Sequence, residues 1–169
     1  MRSLTPPLFL AFLFLLSMGC GADRAPASSQ DGDSGAAPAN YQRIVSLSGA
    51  VTETLFALGR GERIVGIDVT STYPPAAVQE ITQLGHVRNL NVEGVLGLQP
   101  DLIIYEAADA ALPALRRLAA AGIPTLEVPS SYDLETPQRR LELLAARLGA
   151  EAEAASLRRR LNADAERLA

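Results

Sequence analysis

Apolar positions follow two alternating rhythms from about residue 43 onward. Short, β-branched runs at 43–47 (RIVSL), 64–68 (IVGID), 102–105 (LIIY) and 123–128 (IPTLEV) have the length and composition of buried strands. Between them, apolar residues recur at helical spacing over 51–58, 76–81, 91–98 and 110–121. Gly59 and Gly122 stand just past two of these segments, where a helix most often stops, and Asn91 is a suitable N-cap. Ser48-Gly49 reads as a turn, and 82–90 as an irregular stretch. Four strands alternating with helices predict a parallel α/β sheet flanked by helices over residues 41–133. Two further helices follow within 134–169, over 134–148 and 151–169, with Leu157, Leu161 and Leu168 on one face of the second. That second helix has neither Gly nor Pro to stop it, so its apolar stripe points to a chain expected to continue.

The first forty residues follow neither rhythm. Arg2, the apolar run 8–16 and the small residues before Cys20 read as an export signal over 1–20, too short to span a bilayer. Cys20 is the only cysteine, which excludes an internal disulfide. The segment resembles a bacterial lipoprotein signal, whose processed cysteine is acylated. An ordinary secretory signal cut a few residues later is the alternative. Residues 21–40 are Gly, Ala, Ser, Asp and Pro with almost no large apolar group, a flexible linker. The expected protein is therefore exported, to the periplasm or the cell surface, and tethered to a membrane by lipid.

Composition narrows the chemistry. The chain has 169 residues, a net charge of −4 and a single histidine, His86. An acidic chain argues against a nucleic-acid surface, and one His with one Cys cannot build a multi-ligand zinc site. Asp68 and Asp101 lie at strand ends, yet without a base, nucleophile or metal cluster beside them they do not make a catalytic pair. No enzyme is expected. The strand over 64–68 breaks into Val-Thr-Ser-Thr and ends on Tyr73-Pro74-Pro75. Open α/β sheets bind ligands outside the carboxyl ends of their strands, and proline stiffens that terminus. Tyr73 is therefore expected to face a ligand.

Four segments in this order, RIVSL (43–47), VTETLFALG (51–59), IVGID (64–68) and PDLII (100–104), resemble one family. It is the substrate-binding proteins of bacterial ABC importers for haem, ferric siderophores and cobalamin. The resemblance covers residues 41–169 and implies two α/β lobes joined by a long helix, of which this chain holds the N-terminal lobe and the start of that helix. The segments DVTSTYP (68–74) and LGHVRNLNVEG (84–94) are similar to the haem-binding branch. That likeness implies Tyr73 as axial ligand of ferric haem iron, for which a phenolate is a suitable hard donor. A tyrosine lining a cobalamin or siderophore cleft is the alternative. His86 and Arg88 become possible haem contacts, with an idle loop histidine and a structural salt bridge as the plainer readings. Glu93 matches the family's acidic residue that docks on the permease, although a carboxylate in a first helical turn is favoured by the dipole in any case. The implied partners are a haem or related iron or corrin ligand, an ABC permease with its ATPase, and a membrane through the anchor. Haem is cargo here, with no catalytic cofactor.

Overall fold

The computed structural model describes residues 40–168. The signal, Cys20 and the linker up to residue 39 lie outside the described residues. Five parallel strands make one sheet: β1 (Ile44–Ser46), β2 (Ile64–Ile67), β3 (Thr82–Gln83), β4 (Leu102–Glu106) and β5 (Thr125–Val128). Their order is β3-β2-β1-β4-β5. The chain leaves the central β1 toward β2 and β3, then crosses back to pair β4 on the other side, with Ile44 opposite Leu102 and Ser46 opposite Ile104. That reversal opens a crevice at the carboxyl ends of β1 and β4.

The helices are α1 (Gly49–Ala57), α2 (Pro75–Val78), α3 (Val92–Gly97), α4 (Pro113–Ala120), α5 (Thr136–Leu148) and α6 (Glu151–Leu168). Because successive strand residues face opposite ways, Ile44 and Ile104 join Leu55 and Leu144 in one core, beneath α1 and α5. Val45 and Ile103 join Val95 and Leu118 in the other, beneath α3 and α4. Three layers result. Val51, Leu55 and Leu58 are fully buried at helical spacing, and each such side chain stabilises the fold by roughly 1.5–3 kcal/mol through lost apolar surface.

Gly59, Gly122 and Gly149 stop their helices at φ of 70°, 84° and 60°, a left-handed conformation costly for other residues. Asn91 caps α3 by accepting from the Gly94 N–H at 3.2 Å. Three expectations need correction. A fifth strand, β3, lies in the stretch read as irregular; it is two exposed residues long and is held by backbone pairing of Thr82 to Gly66 and Gln83 to Ile67. Helix α4 begins at Pro113 rather than residue 110, because proline favours the first helical position and keeps Leu112 extended. Gly49 is the first residue of α1 and not part of a turn. In α6, Ala154 is buried and Leu157 packs against the core, while Leu161 is 56% exposed, so the apolar face is covered only in its first half.

Candidate functional site

The loop after β2 is built around Asp68, which is 1% exposed. The Thr70 hydroxyl donates toward both carboxylate oxygens, at 2.9 and 2.8 Å, and the Ser71 hydroxyl donates to Oδ1 at 3.0 Å. Thr70 Oγ1 in turn accepts from the Gly49 N–H at 2.8 Å. Thr52 Oγ1 links Ser71 (2.7 Å) and Ser46 (2.8 Å). A buried carboxylate demands such partners, and here they tie β1, the start of α1 and the loop into one unit. Tyr73 leaves that unit 60% exposed, on a cis bond to Pro74, with Pro75 opening α2.

Tyr73 lines a groove of about 610 Å³, walled by Ala50, Glu53, Thr54 and Ala57 of α1. Leu134, Pro137, Gln138, Arg140 and Leu141 come from α5 and its approach, and Leu157, Arg158, Leu161 and Asn162 from α6. The sequence marked the tyrosine but not the groove, two of whose walls, α5 and α6, come from residues more than sixty positions away. At the switch point, Glu106 is the last residue of β4 and accepts from the Ser48 hydroxyl at 2.8 Å. Arg140 reaches the same oxygen at 3.4 Å and donates to the Pro129 carbonyl at 3.1 Å. Neither Glu106 nor Arg140 was foreseen. Glu106, the first charge after an apolar run, was the only local hint.

The remaining candidates are dispersed. His86 Nδ1 accepts from the Arg88 N–H at 3.1 Å and so caps the short 3₁₀ turn over Val87–Asn89. His86 and Arg88 are exposed and are not among the groove residues. They lie instead within electrostatic reach of Asp109, whose carboxyl is raised above its ordinary range by burial, with Arg88 opposing that shift. Glu93 is exposed in the first turn of α3, as expected. Asp101 accepts from the Gln42 and Arg43 N–H groups at 2.7 and 2.9 Å, ahead of β4, whereas Asp68 follows β2. In a parallel sheet these are opposite ends, so the two carboxylates do not meet. Among the described residues no cluster of three His, Cys, Asp or Glu is placed to hold a metal ion.

Similarity to known proteins agrees with this architecture. The periplasmic haem-binding protein RhuT from Roseiflexus sp. RS-1 is 37% identical with a TM-score of 0.68, over 72% of this chain and 46% of that one. The periplasmic vitamin B12-binding protein BtuF of Vibrio cholerae is 27% identical with a TM-score of 0.58, over 72% and 49%. An uncharacterised ABC transporter substrate-binding lipoprotein of Bacillus subtilis (strain 168), YvrC, is 33% identical over 73% of this chain and 39% of its own. A vitamin B12-binding protein of Yersinia pestis (strain Pestoides F) is 36% identical over 49% and 29%. The chain thus spans less than half the length of these relatives. With the profile of that family matching residues 44–169, the chain belongs to the periplasmic binding protein family.

Proposed function

We propose that this chain is the N-terminal lobe, over 41–133, with the first part of the inter-lobe helix, within 134–169, of an ABC importer's substrate-binding component that captures haem outside the cytoplasmic membrane. The observation that carries the reading is Tyr73: an exposed phenol on a loop braced by buried hydrogen bonds, lining a groove of mixed apolar and charged side chains. A phenolate is a hard anionic donor matched to ferric iron. Similarity to RhuT supports haem. Cys20 carries the lipid anchor, and Glu93 docks on the permease. His86 and Arg88 sit at the sheet's carboxyl edge, where they serve as outer contacts to the ligand.

Hemin titration followed by visible absorption tests this. Wild type is expected to give the spectrum of a tyrosinate-ligated ferric haem, and Tyr73→Phe to lose it. An identical spectrum in Tyr73→Phe would remove the tyrosine from the reading. Vitamin B12-binding relatives of 36% identity favour a second ligand, a corrin. Tighter binding of cyanocobalamin than of hemin would replace haem with that reading.

A further inference from the structure

Three charged side chains line the groove beside Tyr73: Glu53, Arg140 and Arg158. Arg158 is half exposed and already paired with Glu142 at 3.1 Å, an ordinary surface pair. Arg140 differs. It is 8% exposed, and only its Nη2 is used, on the Pro129 carbonyl at 3.1 Å and on Glu106 at 3.4 Å. Nε is buried without a partner, and Nη1, also unpartnered, keeps access to solvent. Guanidinium has five N–H donors, and a buried one with so few acceptors is undersupplied. Glu106 does not make up the deficit, since its contact is long and single and the same oxygen takes the Ser48 hydroxyl at 2.8 Å.

We propose that Arg140 is a specificity residue of this groove, receiving one carboxylate of a ligand whose apolar body lies against Leu157 and Leu161 while its reactive centre meets Tyr73. The proposal rests on the haem reading and deepens it: one propionate goes to Arg140, not to Arg88, which lies outside the groove. Three features make Arg140 the better partner. Pro129 and Glu106 hold one side of the guanidinium in place, so little side-chain freedom remains to be lost on binding. The guanidinium's own burial keeps most water away and strengthens a charge-assisted hydrogen bond. Glu53, on the α1 wall, disfavours an anion on its own side, and Arg158 is already engaged by Glu142, which leaves Arg140 as the cation with spare donors.

Hemin and hemin dimethyl ester, whose propionates carry no charge, separate this from apolar packing. Wild type should bind hemin roughly tenfold or more tightly than the ester, the return for one charge-assisted hydrogen bond. Arg140→Met should lose that preference by weakening hemin alone, with the ester unaffected. A preference that survives in Arg140→Met, or that Arg88→Met abolishes instead, overturns the assignment. Equal affinities for hemin and ester in wild type overturn it without any variant, which covers the case of a poorly folding Arg140→Met. If wild type shows no tyrosinate-ligated spectrum with hemin, the haem reading falls and this inference falls with it. A Tyr73-dependent spectrum without the ester effect removes the Arg140 assignment alone.

Discussion

At the residue scale, the site depends on a close approach that only glycine permits. A Cβ on Gly49 would lie 2.4 Å from the Thr70 carbonyl oxygen and 3.0 Å from its carbon. Both are backbone atoms, which cannot swing aside as a side-chain tip would. The Gly49 N–H also holds Thr70 Oγ1, the hydroxyl that closes over Asp68. Gly49→Ala is therefore expected to push the loop off α1, with a loss of about 1–3 kcal/mol, as for other overpacked sites. A lowered urea midpoint at unchanged slope would record it. Gly97, which has open space around its Cβ position, provides the contrast: Gly97→Ala should be neutral or mildly stabilising. Equal midpoints for Gly49→Ala and wild type would show that the loop gives way freely, and the bracing of Tyr73 would lose its basis.

At the scale of elements, what could be read in advance was what local chemistry dictates. β1, β2, β4 and β5 announce themselves as apolar runs, and the helix stops at Gly59 and Gly122 follow from the need for positive φ. β3 was illegible because two exposed residues carry no pattern, and its pairing to β2 is a backbone matter. Tyr73 was legible as a polar break after a strand. Its neighbours Arg140 and Leu157 were not, because only the packed helices bring them near, and the Ser48–Glu106 bond joins residues fifty-eight apart. Just ahead of α5 lies a local cluster of hydrogen bonds. Asp133 accepts from the Ser131 hydroxyl (2.7 Å), the Thr136 hydroxyl (2.9 Å) and the N–H groups of Thr136 (2.6 Å) and Glu135 (2.9 Å). The Ser131 and Thr136 hydroxyl bonds do most to hold its carboxyl down to about 2. A pKa depressed in the folded state gives stability that is complete above the unfolded value, about 4, and is lost as pH falls through about 2. Asp133→Asn cannot titrate, so its melting temperature should fall less steeply than wild type between pH 4 and 2. Parallel slopes would show that this carboxylate contributes nothing to acid stability.

At the scale of the whole molecule, the proposal separates three tasks that the fold keeps apart. In the proposed function the ligand meets Tyr73 and the groove lined by α1, α5 and α6. Glu93 stands on α3, in the layer on the other face of the sheet. Cys20 precedes residue 41 by the stretch of linker composition over 21–40. Separate placement implies separable effects. A lone exposed carboxylate contributes little to folding, but a charge reversed against arginines at a protein interface meets like-charge repulsion of several kcal/mol. In proteoliposomes holding the importer, Glu93→Arg is expected to reduce stimulation of its ATPase by tenfold or more while the hemin titration is unchanged. Cys20→Ser should leave the titration unchanged as well and move the protein from the membrane pellet to the soluble fraction. Reduced hemin affinity in Glu93→Arg would place that carboxylate in ligand binding or folding instead of docking, and continued pelleting of Cys20→Ser would refute acylation at that cysteine. If both variants behave as expected while Tyr73→Phe loses only the haem spectrum, then capture, docking and anchoring reside in three independent parts of one chain.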